Sequence, residues 1–214
     1  MRMRLEFKSH RHRQCDEGGM VIDLRPATAL VGSVVDGVRD DQLDDPTPCQ
    51  GTSVRELLNH LLGLTIAFRD AAGKVEGPST STPPAKVSTQ LPDDWRERLR
   101  RQLDEVAQAF DDPEAWHGMT MAGGVRLPGD VAGLVALNEV QMHGWDLARA
   151  TGQRYEVDDE LAEAVLPIVT PTGDSADDAA REGMFGPPVD VPEGAPIFDR
   201  ALGLAGRDPN WTRG

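Results

Sequence analysis

Apolar residues recur at three- and four-residue spacing along most of this chain, and that period specifies amphipathic helices. Val54, Leu57, Leu58, Leu61, Leu62, Thr65 and Phe68 form one stripe. Leu30, Val31, Val34, Val35 and Val38 form another, and Trp95, Leu99, Leu103, Val106 and Phe110 a third. A fourth runs through Ala132, Val135, Ala136, Leu147 and Ala150. Stripes of this length are buried only against one another, so the expected fold is all-α, a bundle of four main helices.

Local signals set the ends. Pro26 suits the first turn of a helix over about 24–40. Asp-Asp-Pro-Thr-Pro-Cys-Gln-Gly then breaks the chain. Ser53, with Glu56 three residues on, reads as a capping box opening a helix to about Ala72. The Ser-, Thr- and Pro-rich stretch after Gly77 reads as a surface loop, and a third helix follows over about 93–111. Ala122-Gly123-Gly124 suggests a short irregular hairpin within 112–128. The fourth helix is expected from about Gly129 to Ala150, stopped by Thr151-Gly152. A fifth is expected over about 158–170, then an irregular segment from Pro171 to Pro196 and a last short helix between Pro196 and Gly206.

Composition narrows the partners. The 214 residues fit one domain, 39% hydrophobic, with a formal net charge of −14. Residues 1–19 carry five Lys/Arg against three acids, so the rest is −16. A body so acidic repels nucleic acid and anionic membranes, and neither is an expected partner. No apolar run approaches the roughly 20 residues that span a bilayer. Two cysteines, Cys15 and Cys49, suit a reducing cytosol and make no disulfide framework. Residues 1–19 lack periodicity, and Glu17-Gly18-Gly19 would be encoded by purine-rich codons resembling a ribosome-binding site. Translation is therefore expected to start at Met20, leaving 20–214 as a single domain and 1–19 as a disordered or non-native extension.

Glu139 and His143 stand four apart, on one face of the fourth helix, within the small and apolar stripe. His60 interrupts the stripe of the second helix, flanked by Leu57, Leu64 and Ala67. Polar side chains on inward faces need partners, and a divalent metal would serve all three. Two imidazoles and one carboxylate match the ligand count of a catalytic zinc site, and they also suit nickel or iron. The same trio could instead form a metal-free hydrogen-bonded network. Asp146, one turn past His143, is either a carboxylate orienting that imidazole or a surface partner of Arg149.

Other polar residues read more simply. Arg96, Arg98, Arg100 and Arg101 read as a solvated face pairing with neighbouring acids, with an anion site as the alternative. Cys49, in the turn before the second helix, reads as a small packed residue, with a further metal ligand or a nucleophile as the alternative. His117 reads as loop packing, Trp145 as core, and His10 and His12 fall in the N-terminal tail.

Thr47-Pro48-Cys49, then Val54-Arg55-Glu56-Leu57-Leu58-Asn59-His60-Leu61, then His143-Gly144-Trp145-Asp146-Leu147-Ala148-Arg149-Ala150-Thr151-Gly152, resemble the signature blocks of the DinB-like metal-binding proteins of actinobacteria. The similarity extends over about residues 21–205 and is greatest to the N-terminal domain of mycothiol-dependent maleylpyruvate isomerases. The resemblance implies a DinB-like four-helix bundle with additional short C-terminal helices. It also implies a divalent metal, usually zinc, on His60, Glu139 and His143, with mycothiol held at the open position. Two departures stand out. Gln50-Gly51-Thr52-Ser53 lacks the Trp that often follows the Cys, and the residues after Thr170 are too few and too irregular for the isomerase's further domain.

The functional expectation is a cytoplasmic metal-dependent transferase or isomerase that uses a small-molecule thiol on an electrophilic substrate. A metal-dependent hydrolase and a non-enzymatic metal-binding or dimerisation module, including a homodimer, are the alternatives.

Overall fold

The computed structural model describes residues 13–14, 20–82, 90–171 and 184–213. Four long helices dominate it: α1 Arg25–Gly37, α2 Val54–Ala72, α4 Trp95–Ala109 and α5 Gly129–Thr151. α1 packs against α4 and α5, and α2 packs against the same two, closing a ring. Val31, Val35, Leu57, Leu58, Leu61, Leu99, Leu103, Val106, Ala136, Leu137 and Leu147 fill the interior with at most 1% exposure. These are the expected stripes, and each large aliphatic side chain buried there contributes about 1.5–3 kcal/mol.

The helix ends follow their local chemistry. Ser53 Oγ accepts from the Glu56 backbone N–H at 3.3 Å, and Glu56 Oε2 accepts from the Ser53 N–H at 2.8 Å. That reciprocal pair fixes where α2 starts and hence the phase at which it presents His60. α5 ends at Gly152, whose φ of +72° suits a residue without Cβ.

Between α4 and α5 lie a 3-10 turn, Pro113–Trp116, and an antiparallel hairpin of β3 Met119–Ala122 with β4 Val125–Pro128. The hairpin turns on Gly123 and Gly124, both at positive φ. A second short antiparallel pair joins β1 Arg13–Gln14 to β2 Met20–Val21. α6 Asp159–Val169 and α7 Ile197–Leu204 pack on each other, and α6 also contacts α5.

The expected boundaries hold to within three residues. Not expected are β1 at Arg13–Gln14, within the stretch read as an extension, and α3, Pro78–Ser81, a single helical turn inside the stretch read as a loop. It is closed by Thr80 Oγ1, which donates to the Val75 carbonyl and accepts from the Gly77 N–H. Apart from Arg13–Gln14, residues 1–19 lie outside the described residues, as does 172–183 of the expected irregular segment. The remainder of that segment, 184–196, carries no helix or strand. No helix among the described residues is long and apolar enough to cross a membrane.

Candidate metal centre

α2 and α5 pack against each other. His60 stands on α2 at this seam, with Glu139 and His143 opposite it on α5. Their ligand atoms all lie within 4.8 Å of one another. His143 Nε2 is 3.2 Å from Glu139 Oε2, and His60 Nε2 is 3.8 Å from the same oxygen. The two imidazoles stand edge to face, with centroids 4.8 Å apart and planes at 88°.

Zinc–nitrogen and zinc–oxygen bonds near 2.1 Å put tetrahedral ligands about 3.4 Å apart. The two separations to Glu139 bracket that value, and the widest in the trio, up to 4.8 Å, would close as the imidazoles turned inward, so the donor set suits a divalent cation. The site also has an opening. The His60 and Glu139 side chains are 24% and 23% exposed, whereas His143 is 10% exposed. The expectation of fully inward faces is thus met by His143 alone, and the other two stand at the rim.

Behind His143 is a buried layer. Asp146 is 0% exposed, and its Oδ2 is 3.1 Å from His143 Nδ1. A carboxylate acceptor there places the proton on Nδ1 and leaves Nε2 turned towards Glu139. The surface reading of Asp146 is therefore corrected: its cationic partner is Arg207, at 2.8 Å, and not Arg149. Arg149 instead donates to the carbonyls of Pro209 and Trp211.

Electrostatics follow from this packing. Burial alone pushes the His143 imidazolium towards losing its proton. Its hydrogen bonds to Asp146 and Glu139, and their charges, outweigh that and raise its pKa to about 9. Burial raises the Glu139 carboxyl, but His143 and His60 together hold it far below the ordinary range. Asp146 is likewise lowered, against its burial, by the Arg207 charge and the His143 hydrogen bond.

The remaining polar residues take ordinary places. Cys49 is half-buried and lies outside the trio; its Sγ accepts from Thr52 Oγ1 at 3.6 Å. His117 is half-buried beyond the 3-10 turn Pro113–Trp116, and Trp145 is buried. Arg96, Arg98, Arg100 and Arg101 pair with Asp40, Asp94, Asp36 and Glu105, as a solvated face should. Sequence reasoning missed Arg207, which lies 61 residues beyond Asp146 in no periodic pattern.

The family described as the mycothiol maleylpyruvate isomerase N-terminal domain matches residues 24–148. Uncharacterized proteins from two strains of Mycobacterium tuberculosis are 32% identical over 168 residues, covering 76% of this chain and 76% of theirs. Crystal structures of the mycothiol-dependent maleylpyruvate isomerase and of a histidine-to-alanine mutant align with TM-scores of 0.52 and 0.53, at 19% and 18% identity. Those alignments cover 68% of this chain and 64% of the isomerase, so the likeness is one of fold and spans under two thirds of the solved protein.

Proposed function

The chain belongs to the mycothiol maleylpyruvate isomerase N-terminal domain family, and from that premise we propose that it is a metal-dependent enzyme acting with a low-molecular-weight thiol. The observation that carries this reading is the convergence of His60, Glu139 and His143 at a partly open seam. Three protein ligands leave a coordination position free, which is the mark of a catalytic rather than a structural site.

A divalent cation, zinc first, supplies deprotonation of a thiol at neutral pH when bound there. The chain's own residues do the rest. His60 and Glu139 form the rim through which a thiol and a small electrophile enter. Asp146 holds the Nδ1 proton of His143 and aims Nε2 at the ligand position. The proposed cofactors are therefore a divalent metal and mycothiol, the compartment a reducing cytoplasm, and the architecture a DinB-like four-helix bundle. Maleylpyruvate itself is not part of the proposal, because the chain spans about 64% of the isomerase's length.

Metal content of the full chain, measured by plasma mass spectrometry beside His60→Ala and His143→Ala, tests the first half. Near one equivalent in the wild type, lost in both variants, is the expected result. Calorimetric titration of the metal-loaded chain with mycothiol tests the second half. Absence of stoichiometric metal after supplementation overturns the enzyme reading and leaves a helical bundle with a buried polar cluster. Metal without thiol binding moves the reading to metal-assisted hydrolysis or a non-enzymatic module.

A further inference from the structure

Arg207 reaches the site from far along the chain and from outside the residues that match the family. Two residues past the end of α7 stands Gly206, whose φ of +79° reverses the backbone, and the Arg207 N–H bonds back to the Leu202 carbonyl at 2.9 Å. That turn aims Arg207 into the molecule. Its side chain is 10% exposed. Nε donates to Asp146 Oδ1 at 3.0 Å and Nη2 to Asp146 Oδ2 at 2.8 Å, a two-pronged grip on both carboxylate oxygens. Nη1 donates to the Ala205 carbonyl at 3.2 Å, which braces the guanidinium against its own backbone.

The segment carrying Arg207 is itself tied down. Arg149 donates to the carbonyls of Pro209 and Trp211, and Arg213 pairs with Asp45. Two residues of α5, Asp146 and Arg149, thus hold one stretch of C-terminal chain, and they do so differently. Arg149 grips backbone only. Arg207 fixes the plane of the carboxylate that receives the His143 Nδ1 proton.

We propose that Arg207 is a positioning residue of the metal centre, acting through Asp146 to set the orientation of His143. The segment from Ala205 to Arg213 is then a working part of the site. A carboxylate with one oxygen free can rotate about its Cβ–Cγ bond and carry the imidazole with it; a carboxylate held at both oxygens cannot. The affinity consequence rests on the metal reading above, whereas the orientation of His143 does not.

The test uses the full chain as wild type, Arg207→Met, Arg207→Lys and Arg149→Met. Two quantities are read. One is zinc affinity by chelator competition; the other, in metal-free protein, is the exchange protection of the His143 Nδ1 proton by nitrogen-edited NMR. Arg207→Met should weaken zinc by about ten- to a hundredfold, as loss of an orienting partner does. It should also expose the Nδ1 proton to exchange. Arg207→Lys should recover part of both, and Arg149→Met, which loosens the same segment without touching Asp146, should leave both near wild type.

Should Arg207→Met fail to fold, Arg207→Lys decides, because it keeps the buried charge and loses the two-pronged grip. Unchanged affinity and unchanged protection in a folded Arg207 variant overturn the proposal, as do equal losses in Arg149→Met. A wild type that binds no zinc, yet whose Nδ1 protection still depends on Arg207, sinks the metal reading and supports the positioning role.

Discussion

His60 Nε2 lies 3.8 Å from Glu139 Oε2, beyond hydrogen-bond length, although the two side chains face each other across the α2–α5 seam. A metal-free polar network would draw this pair into contact. A shared cation would hold the two atoms about 3.4 Å apart, and a metal-free hydrogen bond would draw them closer still.

That difference makes a first prediction about metal removal. With free zinc at a hundredfold over its dissociation constant, the folded chain should gain about 2.7 kcal/mol. Thermal unfolding with and without chelator measures it. The midpoint should fall on chelation in the wild type and stay fixed in His60→Ala. A wild-type midpoint indifferent to chelator would favour the network.

Proton linkage gives the second. In the metal-free chain the folded pKa of His143 is raised from 6.5 to about 9. A raised group stabilises the fold fully below its unfolded value, and that contribution is lost as pH rises from about 6.5 through about 9. Glu139 runs the other way. Its folded pKa is depressed, so its contribution is present above the ordinary carboxylate value and lost only in strong acid. A cation must displace the His143 proton, so apparent zinc affinity should tighten about tenfold per pH unit between pH 7 and 8. Competition titrations at the two pH values check this, and a pH-independent affinity would contradict it.

Much of this molecule was legible in its sequence, for physical reasons that can be named. His60, Glu139 and His143 were conspicuous because polar residues on an apolar stripe must find partners, and a helix fixes which residues share a face. The capping box at Ser53 was legible because it is wholly local. Arg207 was not, because its function depends on a turn at Gly206 and on a contact 61 residues away. The Pro78–Ser81 turn is shorter than two helical periods, so no stripe could announce it.

The cap itself is testable. Ser53→Ala removes the acceptor for the Glu56 N–H and should cost about 1 kcal/mol. Urea unfolding should show a lower midpoint at unchanged slope. An unchanged midpoint would mean that packing of Val54 and Leu57 alone sets the start of α2.

Gly144 offers a case where two ordinary effects oppose each other. Replacing a helical glycine by alanine usually stabilises by about 1 kcal/mol. Here a Cβ would run into Val31 Cγ2 and sit 2.5 Å from the Tyr155 hydroxyl oxygen and 3.0 Å from Cζ. Neither neighbour yields easily: Val31 is fully buried and stiff at χ1, and the Tyr155 hydroxyl is enclosed without a hydrogen-bond partner. Overpacking of this kind costs about 1–3 kcal/mol, which matches or exceeds the propensity gain. Gly144→Ala should therefore be neutral to destabilising by up to about 2 kcal/mol, whereas Gly63→Ala, with open space at the same backbone position on α2, should stabilise. Denaturant unfolding of the two variants side by side checks the argument, and equal gains in both would show that α1 and α5 do not approach as closely as Gly144 permits.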